Sequence, residues 1–223
     1  MRFLHLGDLH LGKSLGDFDL IGDQKYILDQ MLAVIRERTV DAVLIAGDVY
    51  DKAIPSEAAT NLLDYFLCRL AETGVKTFLI SGNHDSDDRL NYGSRLFQDN
   101  QIFISSVFRG ELEKYTVEDE QGEVDVYLLP FVKASQVRHY FPDAKIDSYD
   151  DAVRVIIEHA HLDRQKRNVI VAHQFVQADQ KIRYWQVRRA SEHRVWDWWR
   201  RSVMTALIRL IMWRWGIFIR PRK

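Results

Sequence analysis

Four short polar segments stand out because their residue types could hold a metal ion: "GDLH" at 7–10, "GDVYD" at 47–51, "GNHD" at 82–85 and "AHQF" at 172–175. Asp8 and Asp48 supply carboxylates, Asn83 a carboxamide oxygen, and His10 and His173 imidazole nitrogens. Such a mixed oxygen and nitrogen set suits Mn, Fe or Zn better than Ca, which prefers oxygen alone. A single Gly-Asp after a strand is ordinarily a turn, and a single histidine is ordinarily structural. Four such segments in series, one of them "GNHD", instead predict one site assembled from several loops.

The elements that must carry these residues are legible as well. "RFLHL" (2–6), "AVLIA" (42–46), "KTFLI" (76–80) and "NVIVA" (168–172) are apolar runs too short for helices, each ending just before one of the polar segments. Between them, 24–38 and 56–74 carry apolar residues at helical spacing, the second with Ser56 as N-cap and Gly74 as C-cap. This βαβ alternation predicts a mostly parallel sheet covered by helices. The polar loops then fall at the carboxyl ends of its strands, where open α/β sheets bind ligands. Extended geometry would send Asp8 and His10, two residues apart, to the same side. Glycines before Asp8, Asp48 and Asn83 would let the backbone turn tightly. A hairpin is expected over 113–130, turning near Gln121-Gly122, and a further amphipathic helix over 147–163. His5, His139, His159 and His161 lie in strand, helix or polar contexts that need no functional role.

The order Asp-x-His, Gly-Asp, Gly-Asn-His-Asp and a further His resembles the calcineurin-like metallophosphoesterases. "MRFLHLGDLHLGKSL", "DAVLIAGDVYDKAIPSEAA", "ISGNHDSDDRLNYGSRLF" and "VIVAHQFV" are most similar to a nuclease branch of that family, across roughly residues 1–178. The resemblance implies an α/β class fold, an α/β/β/α sandwich, here expected to be incomplete at its C-terminal side. It also implies a two-metal phosphodiesterase, with Mn2+ the expected ion. Asp48 would bridge the two ions, Asp8 and His10 would hold the first, and Asn83 and His173 the second. His84 would act as general acid toward the leaving sugar oxygen, and Asp85 would orient it. The implied partners are double-stranded DNA, an SMC-like coiled-coil ATPase and a second copy of the chain, joined through the region of the second and third helices.

The chain departs from the family after residue 178. The family pattern closes with GH-x-H, but the only histidine beyond His173 is His193. Residues 1–180 carry 19 basic and 30 acidic side chains, whereas 181–223 carry 12 and 2, together with all six Trp. Met and Trp have single codons, so the nucleotides beneath "IMWRWGIFI" (211–219) are tightly constrained, and the neighbouring frame permits "DYVALGHIH". Residues 179–223 are therefore read as a basic, Trp-rich tail translated out of frame from between about residues 178 and 191, following a nuclease domain over 1–178. A membrane anchor at 203–219 is disfavoured by its length and by Arg209 and Arg214.

With 223 residues, nearly half of them hydrophobic, the chain can bury one substantial core. Cys68 is its only cysteine, so no internal disulfide forms, and the start lacks the pattern of a secretory signal. A reducing, cytoplasmic location is expected. Two other functions fit the same motifs: a phosphodiesterase or phosphatase for small substrates, and a catalytically silent module that keeps only partner contacts.

Overall fold

A computed structural model describes residues 1–174. These divide into two compact units, residues 1–131 with 169–173, and residues 132–168 with Gln174.

In the first unit, β1 (Phe3–Leu6), β4 (Ala42–Ala46), β5 (Lys76–Ile80) and β6 (Ile102–Ser105) form a parallel sheet in the order β1-β4-β5-β6. The central strands are continuous apolar runs because both faces are covered, as parallel sheets require. Alternation then assigns the faces. Val43, Ile45 and Leu79 pack with Leu28, Leu32 and Ile35 of α1 (Ile21–Arg38) and with Leu62, Leu63, Phe66 and Leu70 of α2 (Glu57–Thr73). Each of these buried large side chains contributes about 1.5–3 kcal/mol relative to exposure. Ser56 Oγ accepts the Ala59 N–H at the start of α2, and Gly74 adopts the left-handed conformation at its end, as expected from their types.

On the other face, Ala42, Leu44, Ala46, Phe78 and Ile80 pack against Val117, Val124, Val126, Leu128 and Val171 of a second sheet. That sheet has the order β7-β8-β9, from β7 (Glu113–Asp119), β8 (Gly122–Leu129) and β9 (Arg167–Ala172). β7 and β8 are the expected hairpin, with Asp119 opposite Gly122. The run at 168–172 therefore does not join the parallel sheet, which corrects the expectation of four strands sharing one edge. Its apolar composition fits a strand in either sheet, and only tertiary packing decides between them.

Short elements add to this unit: β2 (Ser14–Leu15) paired with β3 (Phe18–Asp19), α3 (Asp87–Asn91) and α4 (Ser94–Gln98). The second unit contains α5 (Ala134–Tyr140) and α6 (Tyr149–His159). α6 opens with a reciprocal cap in which Ser148 Oγ accepts the Asp151 N–H and Asp151 Oδ2 accepts the Ser148 N–H, both at 3.1 Å. It ends four residues before the expected position, so His161 lies beyond it with a positive φ. No described helix is long and apolar enough to cross a membrane. The tail expected to be out of frame lies outside the described residues.

Candidate metal centre

Beyond β1 and β4 the two loop segments stay in register. The Asp8 N–H donates to Gly47 O (3.2 Å), His10 N–H to Asp48 O (2.9 Å) and Leu11 N–H to Val49 O (2.9 Å). The backbone is not extended there. Asp8, His10 and Asp48 have φ of 53°, 44° and 49°, the left-handed region that non-glycine residues seldom occupy. Asp8 and His10 thus converge through consecutive tight turns and not through strand alternation. Strain of this kind costs on the order of 1–3 kcal/mol per residue and persists where surrounding bonds enforce it. Gln24, at the start of α1, supplies some of them: its Oε1 accepts from Gly12 N–H (3.0 Å), and its Nε2 donates to Leu9 O (3.2 Å) and His10 O (2.8 Å).

The glycines act differently from one another. Gly47 has a φ of 78°, as its place in a turn predicts, and a Cβ there would also lie 2.6 Å from His173 Cγ. Gly82 does not need a positive φ; it provides space, since a Cβ would collide with the backbone nitrogen and carboxylate of Asp48.

Asp8, His10 and Asp48 offer ligand atoms that all lie within 4.8 Å of one another. His10 Nε2 is 3.7 Å from Asp8 Oδ1 and 3.6 Å from Asp48 Oδ2. Asp48 is only 3 % exposed, while the Asp8 side chain is largely open to solvent. The same Asp48 Oδ2 lies 3.3 Å from His173 Nε2, which is also 3.3 Å from Asn83 Oδ1. One carboxylate oxygen therefore faces both imidazoles, the position a bridging ligand occupies.

The hydrogen bonds of His173 suit a cation. His173 Nδ1 is 2.7 Å from Ala46 O, which can only accept, so the ring donates from Nδ1. In the neutral ring Nε2 is then a bare lone pair, aimed at two further oxygens. Three lone pairs converging on one point are stabilised by a positive ion among them, and imidazole ligands commonly donate their other N–H to a backbone carbonyl.

His84 and Asp85 occupy different positions from these ligands. The His84 N–H donates to Asp48 Oδ1 (2.9 Å), and its ring Nδ1 bonds Asp51 O (3.0 Å). The ring stands edge-on to His10, with centroids 4.9 Å apart. Asp85 was expected to orient His84, but its carboxylate instead accepts three backbone N–H groups: Val49 (3.1 Å) and Gly82 (2.8 Å) at Oδ2, and Tyr50 (2.8 Å) at Oδ1. Asp85 thereby ties the loop after β4 to the loop after β5. Burial pushes the Tyr50 phenol above its usual pKa, which keeps it neutral in this acidic surrounding.

Gln24 and Asp51 also belong to the site, and the sequence does not mark either. Gln24 carries no motif, and nothing in its spacing announces a side chain that reaches back to a loop. Asp51 closes the quoted "GDVYD", but its part depends on which rings the fold brings beside it.

The model of the calcineurin-like phosphoesterase family matches residues 1–213. The chain belongs to this family. It is also similar to the SbcD subunit of the nuclease SbcCD from Staphylococcus epidermidis, with 38% identity over 176 residues, 78% of this chain and 46% of that protein. The chain thus spans about half the length of the curated relative it matches. The phosphoesterase match bears out the α/β class, and the triad of Asp8, His10 and Asp48 is a candidate metal site of the kind this family uses.

Proposed function

We propose that the chain is built as a metal-dependent DNA phosphodiesterase of the SbcD type. The observation that carries the proposal is the convergence of His173 Nε2, Asn83 Oδ1 and His10 Nε2 around the single buried carboxylate of Asp48. Asp8, His10 and Asp48 hold one divalent cation, and Asp48, Asn83 and His173 a second, with Mn2+ the preferred ion. When bound, such ions lower the pKa of an attacking water and offset charge on the phosphate oxygens. His84, outside both ligand sets, donates a proton to the leaving sugar oxygen. Its Nδ1–H is committed to Asp51 O, so proton exchange takes place at Nε2. Asp85 fixes the two loops that carry Asp48 and His84.

Double-stranded DNA is the proposed substrate, in repair, recombination or replication, within the cytoplasm. The partners are a coiled-coil ATPase of the SbcC type and a second copy of this chain. The GH-x-H imidazoles of the family are not supplied after His173, so each ion lacks a ligand and turnover is impaired.

Cleavage of double-stranded DNA and of a chromogenic phosphodiester, each with Mn2+, tests the reading. The chain is compared with a version recoded to continue in the neighbouring frame. Weak DNA cleavage that rises strongly on recoding supports the proposal. Preference for the small ester points to a phosphodiesterase of small substrates, and inactivity of both versions to a silent binding module.

A further inference from the structure

Asp51 lies beside two functional rings, His10 on the loop after β1 and His84 on the loop after β5. Its carboxylate Oδ1 is 3.5 Å from His10 Nδ1, and its backbone carbonyl accepts from His84 Nδ1 at 3.0 Å. The segment is held in place by the Asp51 N–H donating to Leu11 O (3.2 Å) and by a parallel bridge between Leu11 and Tyr50. His10 Nδ1 is buried and has no hydrogen-bond partner among the described residues. A buried ring nitrogen is stabilised by a partner, and the Asp51 carboxylate is within a small side-chain rotation of hydrogen-bond distance. Lys13 Nζ, 3.6 Å from the same Oδ1, draws on the same carboxylate from the solvent side without supplying an acceptor for His10.

We infer that Asp51 is the positioning residue for His10, an inference that rests on the metal reading above. Its carboxylate accepts a hydrogen bond from His10 Nδ1–H, which keeps the proton on Nδ1, so Nε2 presents its lone pair between Asp8 and Asp48. Its backbone carbonyl, through the same peptide segment, sets the tautomer of His84. One residue thereby coordinates the orientation of a proposed ligand with that of the proposed proton donor. Carboxylates that hold the far nitrogen of a ligating histidine fix its tautomer and raise its basicity.

The test uses the intact chain and its Asp51→Ala and Asp51→Asn variants. Long-range proton–nitrogen correlation spectra of the metal-free proteins read the ring tautomers. The parent is expected to carry the His10 proton on Nδ1, and Asp51→Ala to shift it toward Nε2, with His84 unchanged. Titration with Mn2+ alone is expected to show affinity falling at least about tenfold in Asp51→Ala and largely recovered in Asp51→Asn, which keeps an oxygen acceptor. A parent His10 protonated on Nε2 overturns the inference, as does an Asp51→Ala chain that binds Mn2+ as tightly as the parent. If the parent binds no divalent cation the metal reading falls, and the His10 tautomer alone decides the role of Asp51. If the His84 tautomer also changes in Asp51→Ala, the loop has been lost, and Asp51→Leu, which keeps bulk without an acceptor, decides by the same two readouts.

Discussion

Asp48 Oδ2 lies 3.3 Å from His173 Nε2, although the two residues follow strands of different sheets. β4 delivers Asp48 from the parallel sheet, and β9 delivers His173 from the β7-β8-β9 sheet. Their meeting depends on the two sheets packing through Ala46 and Val171, and on the absence of a side chain at Gly47. The centre is therefore a product of sheet-on-sheet packing as much as of the loops themselves.

Gly47→Ala tests that dependence. The added methyl meets the His173 ring and must adopt a φ of 78°, so a loss of about 1–3 kcal/mol is expected. Urea unfolding measures the stability, and the imidazole signals of His173 should move while the far end of the parallel sheet stays unchanged.

Gly82→Ala strikes the other side of Asp48. The methyl collides with the Asp48 carboxylate and with its backbone nitrogen, and the backbone cannot rotate away. Destabilisation of about 1–3 kcal/mol is expected, together with weaker metal binding than in Gly47→Ala, because the carboxylate proposed to bridge the ions is itself displaced. A melt and a Mn2+ titration on the same sample separate the two effects.

Asp85→Ala leaves the N–H groups of Val49, Tyr50 and Gly82 without their acceptor. Each orphaned donor costs about 1–3 kcal/mol where water cannot replace the partner, so with three donors orphaned a loss of several kcal/mol is expected, larger than for Asp85→Asn. Hydrogen exchange at those three amides should accelerate before exchange in the strands does.

Much of the scaffold was legible in the sequence. β4 and β5 coincide with the apolar runs at 42–46 and 76–80, and the caps Ser56 and Gly74 sit where their types place them, because these features follow from local periodicity and local hydrogen bonds. The sheet that β9 joins was not legible, since an apolar run does not state its neighbour. Nor were the left-handed turns at Asp8, His10 and Asp48, which tertiary hydrogen bonds impose on residues that would not choose them. The family resemblance pairs Asp85 with His84, yet its carboxylate accepts backbone donors of Gly82, Val49 and Tyr50, on its own loop and the loop after β4. The ligand types were visible throughout, and their convergence required the fold.

His84→Gln should separate proton donation from metal binding. The backbone N–H to Asp48 survives the substitution, and the ring stands outside both proposed ligand sets. Hydrolysis by the recoded chain is expected to fall about 10²–10⁴-fold, the usual worth of a positioned general acid, with Mn2+ affinity retained. A parallel fall in affinity would place His84 among the ligands.

Joint binding of cations by Asp48, His10 and His173 is the central proposal, and Mn2+ titration of the intact chain beside its Asp48→Ala variant is its sharpest test. Calorimetry on the folded proteins is expected to show Mn2+ binding by the parent and loss of at least about tenfold in affinity in the variant, with the His10 and His173 resonances no longer broadening together as Mn2+ is added. Equal Mn2+ binding by parent and Asp48→Ala, or broadening confined to residues away from both imidazoles, would contradict a shared centre.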